Sequence, residues 1–513
     1  MNNSMPHIST AAAGRAVVVG AGFGGLAAAI RLGARGWRVT VVDRLDQAGG
    51  RARVFRDQGF TFDAGPTVVT APFLFEELWT LCGKRMADEI DLRAVTPFYR
   101  IRFQDGATFD YTGDPEAMRR EVARFAPGDV EGYERFLRKS EAIFRIGFEQ
   151  LADMPFSRVT DMLRIAPAMV RLESWRSVWG LVSRHIRDDR LRQILSFHPL
   201  LVGGNPFSTT SIYTLIAFLE RKWGVHYPIG GTGALVRGLC GLIEGQGGSV
   251  RLGADVERIE VEAGRVTGIR LQGGERLPAE VVVSNADSAW TYRHLVDAEH
   301  RRTWTDRRID RMRSSMGLFV WYFGTNRTWP EVAHHTILLG PRYRGLLEDI
   351  FEKKILSEDF SLYLHRPTAT DPALAPAGCD GFYVLSPVPH LTDDRPGAER
   401  IDWVTRAESY RQAIAAELGR TVLPGLESHL VCSRVLTPQM FQDDYLAFRG
   451  SAFGLEPVLT QSAYFRPHNE SEDVGGLYLV GAGTHPGAGL PGVLSSAKVL
   501  DRLVPDATVL AAG

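Results

Sequence analysis

Ala16-Val-Val-Val is an unbroken apolar run that meets Gly20-Ala-Gly22-Phe-Gly24-Gly25, and Leu26-Ala-Ala-Ala-Ile30 follows it. A short apolar run closed by glycine predicts a buried strand, and the alanine-rich continuation predicts a helix. Trp37-Arg-Val-Thr-Val-Val-Asp43 predicts a second strand that ends on an acid. Later runs at 249–261, 264–271 and 280–284 predict more strands, the last apolar enough for a buried parallel position. Residues 476–481 predict a final strand. From about Phe98 to Tyr227 the pattern turns helical, with Tyr133, Phe136, Leu137, Ile143 and Phe144 at helix spacing in 129–149. Pro167 interrupts 157–195, which predicts a short helix there and a longer one after it. The stretch 289–473 mixes strands at 318–323 and 382–385 with a helix at 403–418. Helices are also predicted at 234–246 and 493–503, and Pro491 sits before the latter, where a missing N–H is no loss.

The glycines carry the first chemical signal. Gly20, Gly22 and Gly25 match G-x-G-x-x-G between a strand and a helix. The first allows the tight turn, the second lets a pyrophosphate approach the backbone, and the third lets helix pack on strand. Asp43 ends the next strand about 20 residues on, where a carboxylate can accept hydrogen bonds from a ribose. Gly49-Gly50-Arg51 repeats the close-approach pattern with a guanidinium as phosphate counter-ion. Gly65-Pro66-Thr67 suggests a second wall of the same site. Far downstream, Gly481-Ala-Gly483-Thr484-His485-Pro-Gly-Ala-Gly runs into Pro491-Gly492-Val493 and a helix start. A helix N-terminus there would stabilise negative charge on a reduced flavin. Several remote glycine turns holding one ligand along its length fit FAD better than an exchanging nicotinamide.

Composition narrows the rest. At 513 residues the chain exceeds one core and predicts at least two lobes. A net charge of -1 gives no case for nucleic acid. Cys82, Cys240, Cys379 and Cys432 show no metal-ligand spacing, so no metal is expected and a reduced, cytoplasmic compartment is. Residues 1–14 are polar and short, and read as a disordered leader. Two uncharged stretches, 193–219 and 474–497, are broken by glycine and proline and do not predict spanning helices. Residues 157–195 combine Trp175, Trp179 and aliphatic residues with Arg158, Arg164, Arg171, Arg176, Arg184 and Arg187. That mixture suits an interfacial helix on an anionic membrane, and equally an ordinary helix with solvated arginines.

Gly49-Gly-Arg and Phe62-Asp-Ala-Gly-Pro-Thr67 resemble the flavin amine oxidase superfamily, and within it the bacterial and fungal phytoene desaturase family. The similarity continues through Phe197-His-Pro-Leu-Leu-Val-Gly-Gly-Asn-Pro206, Gly230-Gly-Thr-Gly-Ala-Leu235, Ser284-Asn-Ala-Asp287, Leu362-Tyr-Leu-His365 and the glycine-rich segment 479–492. The resemblance implies an α/β fold, two-lobed, in which a mixed α+β substrate domain is inserted into a Rossmann-like FAD-binding domain. Residues 15–97, 228–288 and 474–513 would form the FAD domain, and 98–227 and 289–473 the substrate and membrane-associating domain. It implies that Val256 lies beside the adenine and that Asp161 and Arg164 act near the flavin. They are also i,i+3 neighbours, for which an ordinary surface ion pair is the bland reading. It further implies loss of two hydrogens across a saturated carbon pair of phytoene, in successive rounds giving neurosporene or lycopene, with quinone or oxygen as electron acceptor. With a substrate that resides in the bilayer, peripheral membrane association becomes the better reading of 157–195. The chain departs from many relatives at Ile229, where they carry arginine. A sister carotenoid oxidoreductase and a non-catalytic prenyl-lipid carrier of the same fold are the alternatives.

Overall fold

A computed structural model describes residues 14–391 and 400–507. The leader expected at 1–14 therefore lies, but for Gly14, outside the described residues, as do 508–513. Five parallel strands make the first sheet: β1 (Arg15–Val19), β2 (Arg38–Val42), β3 (Ser249–Arg251), β4 (Val281–Ser284) and β5 (Leu477–Leu479). Their order is β5-β4-β1-β2-β3, with β1 central, pairing Val17 with Thr40 on one side and Val282 on the other. Central position explains the unbroken valines: with helices against Ala16 and Val18 on one face and the three-stranded sheet of residues 256–278 against Val17 and Val19 on the other, the strand has no polar side to show. Helices Phe23–Ala34, Thr232–Gly245 and Leu490–Leu503 pack into the core of this sheet.

A second sheet of seven strands runs Leu430–Leu436, Gly317–Thr325, Asp380–Val388, Leu362–His365, His335–Leu338, Tyr99–Arg102 and Thr108–Tyr111, in that spatial order. All its pairings are antiparallel except that of His335–Leu338 with Tyr99–Arg102. Residues just after Phe98, expected to be helical, thus form the last two strands at one end of this sheet, because their alternating aromatic positions complete its core. The helices Val130–Gly147 and Leu215–Trp223 cross over its cavity side.

Pro167 does not break its helix. Val159–Arg171 runs through it, and only the short helices Val178–Val182 and Asp189–Ser196 follow. The carbonyl that Pro167 leaves without its helical donor belongs to Leu163, which is 68% exposed, so solvent can bond it. No helix among the described residues is long and apolar enough to cross a membrane.

Candidate FAD and substrate cavity

The fingerprint turn is built around backbone contacts that admit no side chain. A Cβ on Gly25 would stand 2.0 Å from the Gly20 carbonyl oxygen, which is the close helix–strand approach the third glycine predicts. Gly20 itself turns at φ +97°. Gly24 and Gly22 press on the Asn285 side chain, where added Cβ atoms would lie 2.6 and 2.9 Å from it. The helix then starts at Gly22 with no capping side chain, leaving its first N–H groups to the cavity. Asp43 is 8% exposed at the end of β2. Its Oδ2 accepts the Ala21 N–H at 2.7 Å and its Oδ1 the Leu45 N–H at 2.9 Å. Burial raises its pKa, and those two backbone bonds work against the rise. Each oxygen keeps lone-pair capacity for a ribose hydroxyl.

Gly49 and Gly50 fold onto this turn, Gly49 donating its N–H to Ala21 at 2.8 Å. Both have positive φ, so only glycine holds the bend without strain. Arg51 comes next in the cavity wall, facing Asp287, with its Nε buried and unpartnered. Gly65, Pro66 and Thr67 form the opposite wall, and Thr67 Oγ1 lies 2.5 Å from the Tyr383 hydroxyl. Val256 opens the strand Val256–Glu262 beside Asp43 and Arg44. The turn at Gly230–Gly233, one of the segments that carries the family resemblance, does not line the cavity. It braces the wall from behind, Thr232 donating to the Gly65 carbonyl at 3.2 Å and Gly230 N–H to Asp371 at 2.7 Å.

The far end is closed by the C-terminal segment. Gly481, His485, Pro491, Gly492 and Val493 line the cavity. Gly483 and Thr484 sit behind it: Gly483 packs on Ser288, and Thr484 donates to the Pro467 carbonyl at 2.6 Å. His485 keeps Nε2 on the Leu151 carbonyl at 2.9 Å, and burial brings its pKa down to about 4. A neutral imidazole held by backbone is a positioning element, not an acid. The turn is strapped by Arg466, 1% exposed, which donates to the carbonyls of Leu455, Ala482 and Pro486. Gly489 caps the closing helix Leu490–Leu503 without a side chain, so its N-terminus faces the cavity as expected.

These walls enclose one cavity of about 570 Å³ that continues from the glycine turns into a hydrocarbon region. The seven-stranded sheet supplies one side of that region, including Leu318, Val320, Tyr363 and Leu385; Phe197, Leu200 and Ile216 face them. Behind Tyr363 lie His334, His335 and His365, all buried, with burial lowering His334 to about 3. Helix Val159–Arg171 closes another side with Met162, Ile165 and Met169. Asp161 and Arg164 are not in that stripe. Asp161 sits at the third position of the helix and turns back to accept the Arg158 N–H at 3.0 Å, while Arg164 is exposed. No ion pair joins the two among the described residues. The cavity-facing carboxylate that sequence reasoning missed is Glu220, and it likewise missed the structural roles of Asn285 and Arg466. None carried a recognisable motif: Glu220 meets Tyr99 and Asn285 meets Gly20 only in the folded chain, and Arg466 is placed by backbone carbonyls that no side-chain pattern announces.

The site's residues fit FAD. The unpartnered Arg51 Nε, the free helix starts at Gly22 and Gly489, and glycine cradles that a Cβ would fill all face the same groove. Residues 23–499 match the family of flavin containing amine oxidoreductases. The chain belongs to that family. It is an FAD-dependent oxidoreductase, and FAD is its cofactor. A neurosporene-forming phytoene desaturase of Cereibacter sphaeroides is 50% identical to this flavin oxidoreductase over 98% of the chain and 97% of its own. A lycopene-forming phytoene desaturase of Pantoea ananas is 50% identical over 95% of the chain and 98% of its own. A solved putrescine oxidase shares the fold at a TM-score of 0.62 and 14% identity, covering 97% of the chain and 98% of its own.

Proposed function

We propose that this flavin oxidoreductase is a phytoene desaturase, introducing successive double bonds into phytoene to give neurosporene, lycopene or both. The observation that carries the reading is the single cavity joining the FAD groove to a long hydrocarbon-lined region. An unfunctionalised polyene offers no polar handle, so recognition must come from apolar burial. Half the sequence being shared with such desaturases over nearly the whole length supports the same substrate class.

FAD, when bound, supplies the two-electron oxidant. The chain's own residues do the rest. Gly20, Gly22, Gly50 and Arg51 seat the pyrophosphate, Asp43 receives the ribose, and Val256 flanks the adenine. The helix start at Leu490–Leu503, with Pro491, Gly492 and Val493, stabilises charge at the pyrimidine end. The sheet residues and helix Val159–Arg171 hold the reacting carbons and exclude water.

Peripheral membrane binding from the cytoplasm belongs to the same reading. On the outer side of the cavity-wall helix, Val159, Leu163 and Val170 are more than half exposed, as is Trp175 beyond it. Arg158, Arg164 and Arg171 surround them, a mixture that suits an anionic lipid surface. Quinone or oxygen is the electron acceptor in this reading. Expression in cells that accumulate phytoene, followed by pigment spectra, tests the assignment. Conversion to coloured polyenes is expected; unchanged phytoene, with conversion of an already unsaturated carotenoid instead, would overturn it.

A further inference from the structure

Desaturation removes two hydrogens, and only one leaves with the electron pair that FAD accepts. The other leaves as a proton inside a hydrocarbon-lined cavity, so a base must stand there. The cavity wall carries few candidates. Asp43 is engaged by its two backbone N–H groups, and Asp287 caps the residues after it while facing Arg51. Asp444 pairs with Arg53, and Asp255 lies 3.7 Å from Arg44. All four sit with the arginines and glycine turns of the nucleotide groove. Burial pushes the Tyr363 and Tyr383 hydroxyls up, and in His485, whose Nε2 is held on a backbone carbonyl, burial brings the pKa down to about 4 and so weakens the remaining Nδ1 as a base.

Glu220 is different. It projects from helix Leu215–Trp223, whose other cavity-lining residues are Leu215, Ile216 and Leu219. Its side chain is 1% exposed, yet it belongs to the cavity wall. Oε1 accepts the Tyr99 hydroxyl at 2.6 Å, and Oε2 lies 3.2 Å from His198 Nε2. Tyr99 and His198 are themselves buried, and Phe197 packs on both rings. A carboxylate placed among aliphatic side chains is costly unless hydrogen-bonded, and this one has a partner on each oxygen. Each oxygen still has a lone pair left to receive a proton.

We propose that Glu220 is the catalytic base that takes the proton released when a CH–CH pair is desaturated in this cavity. The inference rests on the desaturase reading above. One C–H bond breaks toward Glu220: the proton binds a carboxylate oxygen, and the electron pair becomes the second bond of the new double bond. The neighbouring carbon gives its hydrogen, with two electrons, to FAD. Tyr99 and His198 are positioning residues that fix the carboxylate's orientation.

Glu220→Gln keeps the shape and the Tyr99 contact while removing the base. Three measurements read it: FAD content, phytoene binding in liposomes, and the rate of anaerobic flavin bleaching by phytoene. The expected result is a rate lowered about 10²–10⁴-fold with FAD content and binding unchanged, and partial recovery in Glu220→Asp. Infrared difference spectra of the wild type, bleached minus oxidised, should show a protonated-carboxyl band that Glu220→Gln lacks. Bleaching as fast in Glu220→Gln as in an active wild type overturns the inference and leaves the desaturase reading intact. A wild type that never bleaches with phytoene overturns the desaturase reading itself. If Glu220→Gln cannot hold FAD, the wild-type infrared band decides alone, and its absence sinks the proposal.

Discussion

Asp43 Oδ2 accepts the Ala21 N–H at 2.7 Å, so the acid at the end of one strand holds the glycine turn at the end of its neighbour. The same carboxylate therefore shapes the cofactor site and faces it. Asp43→Ala would strand the Ala21 and Leu45 N–H groups, each worth about 1–3 kcal/mol if left buried and unbonded. FAD content of the purified protein is expected to fall at least tenfold, with a lower melting temperature even without flavin. Asp43→Asn, which keeps one acceptor oxygen, should fall between. Visible absorbance and thermal melts check both, and undiminished flavin would exclude the ribose role.

Arg466 makes a second prediction. Its guanidinium collects three backbone carbonyls around the closing turn, and a Cβ on Gly487 would lie 2.3 Å from its Nη1. Arg466→Met fills similar space but donates nothing. Losing charge-assisted bonds to three carbonyls should cost about 3 kcal/mol or more. FAD affinity should fall with it, because the turn positions Pro491 to Val493. Urea titration read by flavin fluorescence measures the two together.

Much of this was legible in the sequence, and the reason is local. The fingerprint turn, the strands around it and the acid after β2 are specified within one βαβ unit, and the turns at 65–67 and 481–492 each by its own short segment. Proline's effect was misread at Pro167 because the rule assumes a carbonyl with nowhere else to bond, whereas Leu163 faces solvent. Asp161 was assigned near the flavin by resemblance alone, whereas its spacing from Arg164 gave only a surface ion pair; in the fold it turns back onto the Arg158 N–H at the helix start. Glu220 could not be found at all. Its partners are Tyr99 from a strand of the seven-stranded sheet and His198 from a short turn, so only the folded chain brings the three together.

The exposed apolar residues on the outer side of the cavity wall make a third prediction. Replacing Leu163, Val170 and Trp175 with serine removes side chains that are 68, 62 and 57% exposed. Stability and FAD content should hardly change. Binding to anionic liposomes in a flotation assay should drop at least tenfold, since each large side chain contributes about 1.5–3 kcal/mol when buried in an apolar phase. Equal flotation of variant and wild type would remove this face from the membrane reading.

Acid stability gives a fourth. Burial lowers His334 to about 3 and His485 to about 4, from an ordinary value of 6.5. In the unfolded chain both take a proton near 6.5, while the native state keeps them neutral. Their contribution to stability is thus full above that pH and shrinks as pH falls toward 4 and then 3, at about 1.4 kcal/mol per pKa unit of difference. His485→Gln should flatten the wild-type decline between pH 6 and pH 4, measured as urea midpoints across that range. A variant profile parallel to the wild type would count against a neutral, buried His485.

The wall helix Val159–Arg171 has no buried side chain: its inner residues face the cavity and its outer residues face away from the protein. If the outer side rests in lipid, the reactant and the bilayer are separated by one helix, about 10 Å thick. A hydrocarbon moving between them crosses a partition and never an aqueous layer. Uptake should then follow the amount of carotenoid per unit of membrane area, and diluting the suspension with buffer at fixed lipid composition should leave the turnover of bound enzyme unchanged.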